Sequence, residues 1–80
     1  MEITEQSKAL FLAYAKDAGN WAGTPCIGGN VGGSKEERGN LTQLKKAGLI
    51  MTFDSDGHKW ISFTEAGKTY AKTEAGIEIY

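Results

Sequence analysis

The 80-residue sequence predicts a single small α+β domain of three helices and a β-hairpin, spanning residues 1–80. Three observations carry that expectation. Leu10, Tyr14, Ala18 and Trp21 recur at intervals of four and three, with Phe11 and Ala15 widening the stripe. Leu41 and Leu44 mark a second apolar face just ahead of Gly48. Two strand-like runs then flank Ser55-Asp56-Gly57, and Asp-Gly is a strong hairpin signal.

In chain order, Thr4 is the expected cap of the first helix, with Glu5 near the positive end of its dipole. The stripe carries that helix to about Asp17, and Gly19-Asn20 is expected to end it through positive φ. Next comes WAGTPCIGGNVGG, residues 21–33. Five of the 11 glycines in the chain fall between Gly23 and Gly33, which argues against a full helix there. Residues 22–27 read as either a short strand or an irregular connection, and Val31 as a plug into the core.

The central helix is predicted over residues 34–47, where Ser34 and Glu37 form a capping box. At about 100° per residue, Glu37, Leu41, Leu44 and Gly48 share one side. Lys35, Gly39, Thr42, Gln43 and Lys46 share the other, with Arg38 at its edge. Lysine and arginine neutralise phosphates, while threonine and glutamine reach phosphates or base edges. Gly39 is costly in a helix interior, so either a neighbouring loop or an external backbone is expected to come close to it.

In the hairpin, an Asp56-Gly57 turn pairs Phe53 with Trp60, Thr52 with Ile61 and Ile50 with Phe63. Ile50, Ile61 and Phe63 then face the helices. Met51, Phe53 and Trp60 share the other face, which is apolar enough to expect cover from the C-terminal segment or a dimer contact. Thr64 caps a third helix, anchored by Tyr70 and running to about Lys72. Residues 73–80 read as a short strand or an ordered tail.

Composition narrows the function classes. At 40% hydrophobic and 24% charged residues the chain is an ordinary globular one. A single cysteine, Cys26, excludes an internal disulfide and suits a reducing cytoplasm. No apolar run reaches the length of a membrane span, and Met1-Glu2-Ile3-Thr4 is no signal-peptide start. The net charge of −1 makes any nucleic-acid role depend on local charge. Gly28 to Gly33 followed by Ser34-Lys35 has the outline of a nucleotide phosphate loop, but the order is Ser-Lys and no apolar strand precedes it. A glycine-rich loop at a helix start still favours an anion such as a DNA phosphate. His58 and Cys26 are far apart and form no zinc spacing, and Asp54 and Asp56 read as solvated turn formers. Neither an enzyme nor a cofactor is expected.

The order of helix, glycine-rich connection, capped helix, hairpin and helix resembles the winged helix-turn-helix domain. Its second half looks like the MarR-like regulators. Residues 41–50, LTQLKKAGLI, resemble that family's recognition helix running into the first wing strand. Residues 61–67, ISFTEAG, resemble its second wing strand and the threonine-capped helix behind it. The resemblance covers residues 34–71. It implies a helix at 34–47 in the major groove of duplex DNA and a wing on the adjacent backbone. Carried over by position, Ser34, Lys35, Arg38, Thr42, Gln43 and Lys46 would meet DNA from the helix, and His58 and Lys59 from the wing.

Two departures stand out. The family's short helix before the recognition helix is replaced by the glycine-rich residues 24–33, and the wing carries Asp54 and Asp56 where DNA-reading wings carry arginine. The expected function is therefore a cytoplasmic DNA-binding transcriptional regulator acting as a homodimer on double-stranded DNA. The alternative is a winged-helix protein-interaction module, accessory or inhibitory, whose partner is a protein.

Overall fold

The computed structural model describes residues 3–29 and 35–79, with side chains for all of these except Lys35 and Glu36. The described elements are helix α1 (Glu5–Asp17), a 3-10 turn (Ala18–Asn20), helix α2 (Lys35–Lys46), strands β1 (Ile50–Ser55) and β2 (His58–Phe63), and helix α3 (Glu65–Ala75). Together they make the α+β domain of three helices and a two-stranded antiparallel hairpin. The Ser34 cap and the Val31 plug lie outside the described residues.

Thr4 caps α1 as expected, its Oγ1 accepting the Ser7 N–H at 3.1 Å. The end of α1 differs from the expectation. Gly19 and Asn20 stay in the 3-10 turn, and the positive φ values come later, at Ala22 (56°) and Gly23 (96°). Asp17 accounts for the delay. Its buried carboxylate accepts from the Asn20 amide at 3.0 Å and from the Trp21 indole at 2.8 Å, so the chain stays wound until Trp21 is seated.

After the reversal, Pro25 to Ile27 run along the outer edge of β2. Ile27 N–H donates to Lys59 O and Ile61 N–H to Pro25 O, each at 2.9 Å. Cys26 thus forms an isolated antiparallel bridge with Trp60, and residues 22–27 are otherwise the irregular connection of the two expected alternatives. The hairpin has the expected register throughout, from Ile50 opposite Phe63 to Ser55 opposite His58. Asp56 (φ 53°) and Gly57 (φ 77°) are both left-handed, as a two-residue turn matching the strand twist requires.

Phe11 is the centre of the core, with edge-on contacts to Phe63 and Tyr70 at centroid distances of 5.6 and 5.4 Å. Leu41, Leu44, Leu49, Ile50 and Ile61 complete the buried cluster with Leu10, Tyr14, Ala15 and Ala18. One polar joint holds α1 to α2. Ser7, buried, donates to Asn40 Oδ1 at 3.1 Å, and the Thr4 N–H donates to Gln43 Oε1 at 2.7 Å.

A second joint fixes α3 against the α2–β1 corner. Thr64 Oγ1 accepts the Gly67 N–H and donates to Gly48 O at 2.6 Å, while the Thr64 N–H donates to Leu49 O. Helix α3 runs past Lys72 to Ala75 and stops at Gly76, because Glu74 is still helical and reaches back to Lys8 of α1 at 2.7 Å. The described tail beyond it, residues 77–79, forms no strand. Ile77 and Ile79 pack on the core cluster instead. The described C-terminal residues therefore give the outer hairpin face no cover. Trp21 packs edge-on against Trp60 there, at 5.4 Å, and leaves Met51 and Phe53 57% and 42% exposed. No helix among the described residues is long and apolar enough to cross a membrane.

Candidate nucleic-acid interface

Helix α2 has a core face and two unlike flanks. Leu41 and Leu44 are buried. Asn40 and Gln43 lie on the flank that α1 covers, where both are engaged by its first turn. Arg38, Thr42 and Lys45, spaced four and three apart, form the opposite flank. That flank borders an open groove of about 490 Å³ whose other walls are Thr52 and Lys59 of the hairpin and Ile27 of the short edge segment, with Leu41 at the α2 side.

The hairpin's parity explains why Lys59 belongs to this groove. Lys59 shares the helix-facing side of the sheet with Thr52 and Ile61, whereas its neighbour His58 shares the outer side with Trp60. Three cations, Arg38, Lys45 and Lys59, are thereby gathered from two elements around one concavity. Among the described residues none of them forms an ion pair; the pairs present are Lys8–Glu74 and Lys72–Glu78, both remote. An unpaired cluster of this kind favours a polyanion, and low-dielectric walls such as Ile27 and Leu41 strengthen its field.

The residues expected from the sequence divide as follows. Arg38, Thr42 and Lys59 line the groove. Thr42 is exposed and its hydroxyl donates to the Arg38 carbonyl at 2.9 Å, which leaves its oxygen lone pairs outward. Lys46 is exposed and lies further round the helix from the core, outside the groove lining. Gln43 is half-buried, and its carbonyl oxygen is taken by Thr4, so it acts in the α1–α2 joint and has only its amide N–H₂ to offer. His58 is exposed on the outer face, its ring 6.2 Å from Trp60, away from the groove side. Ser34 and the Lys35 side chain lie outside the described residues. Gly39 is exposed, with no described atom within 4 Å of where a Cβ would stand. No neighbouring loop among the described residues explains it.

Lys45 and Thr52 were not anticipated. Lys45 lies seven residues after Arg38 and three after Thr42, so a search for cations flanking the apolar stripe would have found it. Thr52 follows from the register once Lys59 is chosen.

One buried polar pair lies beneath the other side of α2. The Tyr14 hydroxyl and Glu37 Oε2 are both buried without a hydrogen-bond partner among the described residues. Burial, and after it the Glu37 carboxylate, pushes the Tyr14 phenol above its ordinary pKa of 10.0. The Gly28 backbone acts in the opposite direction. The described residues contain no cluster of metal-ligating side chains.

Comparison with protein-family models, with curated proteins and with solved structures finds no match to this chain.

Proposed function

We propose that this chain is a winged-helix protein that binds duplex DNA, a transcriptional regulator acting as a homodimer with α2 as its reading helix and the hairpin as its wing. The observation that carries this reading is the groove that places Arg38, Thr42 and Lys45 of α2 beside Lys59 of β2. The MarR-like sequence of residues 41–50 and 61–67 supports it from a separate direction. In this reading Arg38, Lys45, Lys46 and Lys59 neutralise phosphates, and Thr42 accepts from base edges. Asp54, the cross-strand partner of Lys59 on the helix-facing side, is an acidic residue beside this flank, and the reading requires the three cations to outweigh it. A protein-interaction module that does not bind DNA is the second reading, favoured by exposed Met51 and Phe53 beside the acidic turn.

The test is fluorescence anisotropy with random-sequence duplex DNA over a salt series. Neutralising four phosphates gives a log–log salt slope of about −3 to −4 per protomer. Arg38→Ala and Lys45→Ala should each weaken binding and reduce that slope by about one. No binding at low salt would sink the DNA reading and leave the second.

A further inference from the structure

The two edges of the sheet are treated differently. The outer edge of β2 is closed by Pro25 to Ile27. The hydrogen bonds at that edge come from Lys59 and Ile61, so the intervening residues His58, Trp60 and Ser62 bond β1 through Ser55, Phe53 and Met51. The N–H and C=O groups of Ile50, Thr52 and Asp54 must then point outward from the free edge of β1. No described residue bonds them. Unpaired edges usually carry lysine, proline or a bulge that discourages pairing. In β1, IMTFDS, lysine, proline and a bulge are absent and the one charge is Asp54; of its outer-face side chains Met51, Phe53 and Ser55, the first two are the exposed large hydrophobics among the described residues.

We propose that two copies of this chain pair antiparallel through the free edges of β1, with the two-fold axis at Thr52, to form one continuous sheet. The proposal supplies the interface for the homodimer named above, and it does not depend on DNA binding. Thr52 then exchanges both backbone hydrogen bonds with the partner's Thr52, and Ile50 does so with the partner's Asp54, so every free group of the edge is satisfied. Met51 falls directly opposite the partner's Phe53, twice by symmetry, at the closely spaced kind of pair where side chains touch.

Pairing all three free positions selects this register, and charge is compatible with it. No like charges face each other across it, because Asp54 meets the partner's Ile50. Continuing outward, Asp56 meets the partner's Gly48, which carries the acidic turn to the end of the partner's α2. That end is basic, with Lys45 and Lys46 in its last turn. Each copy thus offers an acidic turn to a basic helix end, and an apolar pair lies between.

The experiment is sedimentation velocity without DNA over a concentration series, with disulfide trapping of the register. Wild type should sediment as a dimer at the upper concentrations. Phe53→Lys, at an exposed position that leaves the core intact, should sediment as a monomer with an unchanged far-UV CD spectrum. Oxidising a mixture of Met51→Cys and Phe53→Cys chains should give disulfide-linked heterodimers. Either variant oxidised alone should not, because same-residue positions lie on the diagonal, roughly 7–8 Å apart and beyond disulfide reach. A wild type that stays monomeric throughout, a Phe53→Lys protein that remains dimeric, or equal trapping in the single variants would overturn the pairing. Since DNA is absent, each of those results is separate from failure of the salt titration.

Discussion

Replacing Gly67 with alanine puts a Cβ against the carbonyl of Leu49, where both colliding atoms belong to backbone. Neither can swing aside as a side chain would. Alanine gains up to about 1 kcal/mol of helix propensity over glycine, so on propensity alone α3 should be stabilised. Relieving the collision requires α3 to separate from the α2–β1 corner. That strains the bonds from the Thr64 N–H to Leu49 O and from Thr64 Oγ1 to Gly48 O. Two such bonds contribute about 1 kcal/mol each, and overpacking of a fitted contact costs typically about 1–3 kcal/mol. The net expectation is a loss of about 2–3 kcal/mol. In a domain of this size that lowers the melting temperature by roughly 8–24 °C. Gly39→Ala is the matched control, since it makes the same chemical change in a helix with open space around the new methyl. It should be stabilising by up to about 1 kcal/mol. Thermal unfolding followed by far-UV CD reads both variants. A Gly67→Ala protein as stable as wild type would refute the assignment of that contact, and two shifts of the same sign would refute the reasoning from local space.

The remaining expectations concern the core and its polar fittings. Leu44→Ala removes a fully buried side chain and should cost about 2–5 kcal/mol, measured by urea titration; a loss under 1 kcal/mol would mean α2 presents a different face. Tyr14→Phe removes a hydroxyl without a partner among the described residues and should leave stability at neutral pH unchanged or slightly raised. Because the folded-state pKa of Tyr14 lies above 10.0, its contribution is intact below that pH and is lost as pH rises through and beyond it. The phenylalanine variant should therefore lose less stability than wild type between about pH 10 and 12, and parallel alkaline unfolding curves would contradict this. Asp17→Ala strands the Trp21 indole N–H and should cost about 1.5–3 kcal/mol, with red-shifted tryptophan fluorescence as Trp21 leaves Trp60. An unchanged emission maximum would show that the carboxylate does not hold the ring.

What was legible in the sequence was what depends on near neighbours. The Asp56-Gly57 turn fixes the two strands as soon as its type is known, because the side-chain period is two and every partner follows by counting. The caps at Thr4 and Thr64 are likewise decided within one turn of helix. Gln43 could not be read this way. On a helical wheel it belongs to the polar side, but its partner, the Thr4 N–H, lies 39 residues away. The wheel places the apolar stripe and says nothing about which of its flanks a neighbour covers. For the same reason the wheel puts Gln43 on the polar side and gives Lys45 no special place. The reversal at Ala22 was hidden because alanine carries no signal for positive φ, and the pull of Asp17 on Trp21 sets where the chain turns.

The groove's two walls are neighbours in the chain, joined only through Ala47, Gly48 and Leu49, and a three-residue corner does not by itself fix the angle between a helix and a hairpin. Here α3 fixes it from behind. Leu49 N–H donates to Leu44 O, its carbonyl accepts from Thr64, and Gly67 allows α3 to lie directly on that carbonyl. The distance between Arg38 or Lys45 on one wall and Lys59 on the other therefore depends on a contact on the far side of the domain. This couples fold to function in a measurable way. In the DNA-binding reading, Gly67→Ala should weaken DNA binding at temperatures where the domain is still fully folded, although it changes no groove residue. Gly39→Ala, which stabilises α2 but adds a methyl to an exposed part of it, should weaken binding only if DNA approaches that far round the helix. If Gly67→Ala binds with wild-type affinity below its melting transition, the corner is a matter of stability alone and the groove tolerates movement of its walls.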